Sequence, residues 1–331
     1  MSRHARTASP RSEANLRRSG ASRRTVLIAL AANVVVAITK LAGGALTASP
    51  ALLAEGAHSI ADTANQVFLL VSLSLSARAA DDEAPFGHGR ERYMWTFVAA
   101  VGMFVAGAIF AVGYGVIELV SGGGEGGDFT IAWITLAIAA LAEGASWVRA
   151  LRQTRREAGA AGKGLWRFTR ESRDPNVKMV LFEDSAALVG IALAAAGIGL
   201  QQLTGSPAWD AGAAIAIGVL LIGVAGFMAH DTARLLTGAA ATPAERDRVE
   251  QVLADHEGIA GVHELLTMVL GPNALLVAAR VELADGLDSD AVERVADDLD
   301  AAIRQAVPDV TEVFLDATPP RRTRSPASAG V

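Results

Sequence analysis

The sequence predicts an all-α membrane domain of six spanning helices, with both termini cytoplasmic, followed by a small α+β cytoplasmic domain of order α-β-β-α-β. Three observations carry this reading. Of the 331 residues, 51% are hydrophobic and only 19% charged, against roughly 25% charged in soluble domains. The apolar residues gather into stretches of about 20, the length that crosses a hydrocarbon core. The charges are segregated: residues 1–24 hold seven Arg against one Glu, whereas residues 245–316 hold five Arg against 17 Asp and Glu. An acidic soluble part excludes a nucleic-acid partner, which needs a folded basic surface. The lack of cysteine excludes disulfides, thiolate metal sites and cysteine nucleophiles.

The spans are expected at about Thr25–Leu46, Pro50–Ser76, Tyr93–Val120, Phe129–Ala150, Val177–Leu200 and Ala208–Leu236. The second is the least apolar, because it carries Glu55, His58, Asp62, Asn65 and Gln66. Orientation follows from Lys and Arg. The amino-terminal tail, the loop after the second span (Arg78, Arg90, Arg92) and the long connection from Arg149 to Lys178 are basic. The connections Thr47–Ser49, Ser121–Asp128 and Gln201–Trp209 contain no Lys or Arg. This alternation places both termini in the cytoplasm of a multi-pass cell-membrane protein. The Arg/Ser-rich start has Leu16 as almost its sole large apolar residue, too little for the apolar face of a transit peptide. It reads as a disordered cytoplasmic tail near anionic lipid. The expected divisions are 1–24 for this tail, 25–236 for the membrane domain, 237–318 for the cytoplasmic domain and 319–331 for a second disordered tail.

In the cytoplasmic domain, Thr242-Pro243-Ala244-Glu245 is a capping box that opens a helix to about His256. Strands are expected at about Gly261–Leu270 and Ala274–Leu283, joined by a Gly271-Pro272-Asn273 turn. Asp290, with Glu293 three residues on, opens a second helix whose buried stripe is Val292, Val295, Leu299 and Ile303. Val310–Leu315 is the last strand. A unit of about 75 residues is small enough to profit from dimerisation.

The candidate site residues lie inside the spans. His58 and Asp62 are four apart, so they share a helix face with Cβ atoms about 5–6 Å apart, a spacing that suits two ligands of one divalent cation. Asn65 continues that face. A carboxylate at mid-helix costs at least ~2.5 kcal/mol on insertion scales, so a compensating function is expected, metal binding or else a His–Asp hydrogen bond that ties helices together. Glu183 and Asp184 open the fifth span, and adjacent helical side chains diverge by about 100°, so the two cannot be equivalent ligands of one ion. Lys40, near the outer end of the first span, can snorkel to the interface or pair with Glu55.

The segment Ala51-Leu52-Leu53-Ala54-Glu55-Gly56-Ala57-His58-Ser59-Ile60-Ala61-Asp62 resembles the second-helix signature of the cation diffusion facilitators. Asp81-Asp82-Glu83 and Phe86-Gly87-His88-Gly89-Arg90-Glu91 resemble the loop that follows it. The resemblance covers about residues 25–316 and implies a homodimeric exporter of divalent transition metal, typically zinc, exchanged for protons by alternating access. It assigns His58, Asp62 and Asp184 to the membrane site. The fifth-helix His of typical members falls at Val180, so a fourth ligand comes from Glu183, Asn65 or water, with Glu183 otherwise a proton relay. Asp81 and His88 match a weaker loop site whose middle His is replaced by Ala84. His263 and Asp316 match cytoplasmic ligand positions, but Arg280 stands where a His is usual, and a guanidinium cannot ligate. No ATP motif or covalent intermediate is called for, so the expectation is a transporter without prosthetic group and not an enzyme. Its partners are a second copy of the chain, a divalent cation (zinc first, then iron, cobalt or manganese), protons and the lipid bilayer. The rival expectation is a metal-binding membrane scaffold or regulatory subunit that does not transport.

Overall fold

The computed structural model describes residues 30–122, 127–172 and 175–317. The tail 1–24, the opening residues of the first span and the segment 319–331 lie outside them. Among the described residues, five helices are long and apolar enough to cross a membrane: α1 (Leu30–Thr47), α3 (Glu91–Ser121), α4 (Phe129–Ala160), α6 (Pro175–Thr204) and α7 (Ala208–Leu236). Between the first two lies α2 (Pro50–Ser76), 27 residues long, whose polar row keeps it out of that apolar group. The short α5 (Leu165–Glu171) falls in the basic connection.

The helix ends follow local chemistry. Ser49 caps α2 by accepting a hydrogen bond from the Leu52 N–H (3.2 Å), with Pro50 at the first helical position. Asp128 caps α4 through the Thr130 N–H (2.8 Å), and α3 ends at Gly122 in the left-handed region (φ 85°). α4 runs on past the predicted Ala150 to Ala160. The added stretch is rich in Arg, Gln and Glu, good helix formers that need no lipid.

α2 packs against α3 and α6, and α4 against α6. Their shared core is alanine-rich, with Leu52, Phe104, Ala108, Ala111, Ala139, Ala194, Ile198 and Ile217 all buried. Small residues permit close backbone approach where lipid supplies no hydrophobic drive. A Cβ on Gly218 would stand 3.0 Å from the Ala108 carbonyl of α3. Gly190 and Gly197, like Gly218, lie against neighbours, whereas Gly212, Gly223 and Gly226 face open space. α3 contains a π-helical turn at Ala100–Phe104, a feature often found beside functional groups.

The cytoplasmic unit comprises α8 (Pro243–Ala254), β1 (Ile259–Gly271), β2 (Ala274–Leu283), α9 (Ser289–Ala306) and β3 (Val310–Asp316). The sheet order is β1-β2-β3, with β1 and β2 antiparallel and β2 and β3 parallel. The parallel pair needs a crossover, which α9 provides. Thr242 donates from both its N–H and its hydroxyl to Glu245 Oε2 (2.9 and 2.6 Å), which secures α8. α9 starts slightly earlier than the Asp290 signal implies, because Asp288 accepts the Ala291 N–H (2.8 Å) and is the cap. Val249, Leu253, Leu275, Val277, Leu299 and Ile303 are fully buried, each worth about 1.5–3 kcal/mol of hydrophobic transfer. The loop 78–90 belongs to this unit. Phe86 meets Phe314 edge-on (6.4 Å, 86°), and Arg90 donates to Met268 Sδ (3.2 Å).

Candidate metal centre

α2 carries the polar row inward because His58, Asp62 and Asn65 recur at helical spacing, and all three are buried. His58 Nε2 lies 3.5 Å from Asp62 Oδ2, outside good hydrogen-bond geometry. Among the described residues, both ring nitrogens of His58 lack a hydrogen-bond partner although the residue is 1% exposed. Phe104, set by the π-helical turn, packs against the imidazole (centroids 6.1 Å apart, planes at 45°). The aromatic ring closes that side to water. Buried polar nitrogens without partners are rare and call for an explanation, and metal ligation by neutral imidazole is one.

The opposite wall is α6. Glu183 is buried, accepts a hydrogen bond from Asn65 Nδ2 (2.7 Å), and its carboxyl is hydrogen-bonded with that of Asp62. Asp184 is half-buried and turns to α4, where it accepts from Ser146 Oγ (3.1 Å). The adjacent Ser185 accepts from Trp147 Nε1 (3.0 Å). The divergence of neighbouring helical side chains thus separates the two acids, with Glu183 against the α2 row and Asp184 on another side. Among the described residues, no three His, Asp or Glu side chains stand at metal-ligand spacing. In this arrangement the carboxyls and the Asn65 amide bond to one another, and gathering round an ion requires Asp62 and Glu183 to part.

The loop pair is formed. His88 Nε2 lies 2.9 Å from Asp81 Oδ2, while Asp81 Oδ1 accepts from the N–H groups of Ala84 (2.8 Å) and Glu83 (3.2 Å). The His88 hydrogen bond first, then the Ala84 N–H, lowers the Asp81 pKa from its ordinary value. Ala84 itself contributes backbone alone. In the sheet, Arg280 pairs with Glu264 on β1 and Asp316 on β3. Its Nη1 reaches Glu264 Oε2 and its Nε reaches Asp316 Oδ2, both at 3.0 Å. His263 sits at a register shift of β1, with its Nε2 3.3 Å from Glu282 Oε2, so it and Asp316 have different partners.

Lys40 does not snorkel. It is fully buried, bound to Glu55 as the sequence allows and also to Glu143 of α4, which the sequence reading missed. The available signal was a lone carboxylate inside an apolar stretch, the same feature that marked Asp62.

A bundle of membrane-length helices with a buried imidazole, carboxyl and amide row, joined to a small α+β domain, defines a multi-pass membrane protein built around a polar centre. Residues 26–237 match the cation efflux transmembrane domain and residues 241–319 the cytoplasmic domain of cation efflux proteins. The chain belongs to the cation efflux family, the cation diffusion facilitators. It is 30% identical to the "Proton-coupled zinc antiporter SLC30A9, mitochondrial" of Xenopus laevis, over 78% of this chain and 46% of that protein. It is 30% identical to "Metal tolerance protein C4" of Arabidopsis thaliana over 79% of this chain and 57% of that one. The "Cation-efflux pump FieF" of Escherichia coli is 26% identical over 86% of this chain and 89% of its own length. The chain spans about half the length of the zinc-antiporter relatives.

Proposed function

We propose that the protein exports a divalent transition-metal cation, zinc before iron, cobalt or manganese, in exchange for protons by alternating access. The observation that carries this is His58, an imidazole sealed among helices with both nitrogens unpartnered among the described residues, beside Asp62, whose carboxyl is hydrogen-bonded with that of Glu183. Metal ligands bind as neutral imidazole and ionised carboxylate, so metal binding releases protons and protonation releases metal. His58, Asp62 and Glu183 are the proposed ligands. Asn65 orients Glu183 through their 2.7 Å bond, or ligates once the carboxyls part. Asp184 is the residue proposed to pass protons, because it is half-buried and adjacent to Glu183 without sharing its face. Asp81 with His88 is proposed as a weak loop site that leaves an ion most of its water, and His263 with Asp316 as non-ligating.

The proposal includes six spans with α2 as the second, both termini cytoplasmic, a cell-membrane location, homodimerisation through the cytoplasmic domain, and the four divisions stated from sequence. Charge placement supports the orientation, and the zinc and cation names of the relatives support the cargo. The test is zinc uptake into sealed proteoliposomes under an imposed pH gradient. Gradient-driven uptake that His58→Ala abolishes supports the exporter. Zinc binding without flux identifies a scaffold instead.

A further inference from the structure

Lys40 of α1, Glu55 of α2 and Glu143 of α4 form a buried ion cluster that shares no residue with the His58 centre. Lys40 Nζ lies 2.9 Å from Glu55 Oε2 and 3.3 Å from Glu143 Oε1. Lys40 and Glu55 are fully buried and Glu143 is 7% exposed. Two carboxylates from two helices converge on one positive charge, which is how an oxygen-lined cation site is built. Acceptor capacity is left over, because Glu55 Oε1 has no hydrogen-bond partner among the described residues. That oxygen points at Gly190 of α6, where a Cβ would collide with it. Glu55 stands three residues before His58 and seven before Asp62, so the cluster adjoins the centre along one face of α2. At 1.5 Å rise per residue the axial offsets are about 4.5 and about 10.5 Å.

We infer that Lys40, Glu55 and Glu143 form a second cation site, filled by the lysine's own ammonium, which keeps the transported divalent cation from binding there and confines it to the His58 centre. Passage through a pore or carrier requires binding weak enough for the ion to leave. Two buried carboxylates open to a divalent ion would be a trap. A tethered monovalent charge closes that trap, because it cannot diffuse away and carries donors only.

The test is zinc binding to the full chain in detergent by equilibrium dialysis, counted per protomer. Lys40→Ala and Lys40→Gln are each expected to gain one zinc equivalent over the unsubstituted protein. Adding Glu55→Gln or Glu143→Gln to either removes the gain, and Lys40→Arg shows none. With Lys40 in place, Glu55→Gln and Glu143→Gln leave the count unchanged. No gain in a folded Lys40 variant, or a gain that survives loss of both glutamates, overturns the inference. So does a count lowered by Glu55→Gln alone, since zinc would then ligate Glu55 with the lysine present. That arm holds whether or not the Lys40 variants fold. His58→Ala lowers the count equally in every background if the His58 centre is the transported ion's site, so failure of that reading is separately visible.

Discussion

Two clusters in this chain have the same charge composition, one cation between two carboxylates, in different surroundings. In Lys40–Glu55–Glu143 the side chains are 1%, 0% and 9% exposed, whereas in Arg280–Glu264–Asp316 they are 16%, 47% and 44% exposed. Among membrane helices the ions have given up water, so each depends on its partners, and removing one leaves an uncompensated buried charge. On the sheet, solvent screens the same attraction, and the cross-strand row of Arg280 mainly ties β1, β2 and β3 in register. The difference teaches that ion-pair geometry alone does not report importance; the dielectric around it does.

The largest expected effect is on transport. His58→Ala and Glu183→Gln should each abolish pH-gradient-driven zinc uptake in proteoliposomes, whereas Arg280→Met should leave uptake within about a factor of two, the scale of a weakly coupled surface pair. Asp184→Asn is expected to slow uptake severalfold without eliminating it. An inactive Asp184→Asn beside an active Glu183→Gln would reverse the assignment of the two acids.

Stability should divide along the same line. Without metal, Lys40→Met is expected to lose about 3–5 kcal/mol, the cost of orphaning buried carboxylates. Arg280→Met should lose about 0–1 kcal/mol. Thermal unfolding in detergent measures both, and equal shifts would break the comparison. Zinc titration of the fragment Leu235–Thr318 sharpens it, since Arg280 occupies the place between Glu264 and Asp316. No stoichiometric sub-micromolar binding is expected there.

The smallest effects belong to the exposed loop. Asp81→Ala with His88→Ala should reduce uptake severalfold at most. Because the Asp81 pKa is lowered by His88 and the Ala84 N–H, its contribution is present above the ordinary carboxylate range and lost as pH falls through its lower folded value. Amide-exchange protection at Ala84 should therefore hold from about pH 8 to 5 and fail only below about pH 4. Loss nearer neutrality would show that another group holds the turn.

The apolar runs, the polar row of α2, the Thr242 capping box and the strand order α-β-β-α-β were legible in sequence, because each depends on residues within a few positions of one another. His58, Asp62 and Asn65 share a face by helical periodicity alone. Sequence also announced that Glu183 and Asp184 diverge, since neighbouring helical side chains must. Which of them meets α2 was decided by how α6 is rotated in the bundle, a matter of packing among alanines and glycines that no local spacing encodes. Glu143 lies 103 residues from Lys40 and pairs with it because α1, α2 and α4 converge there. The sequence by itself determined that charges sit inside the membrane helices; the tertiary structure decided which charges meet, because burial makes every unpaired ion costly and interhelical packing alone selects the partner.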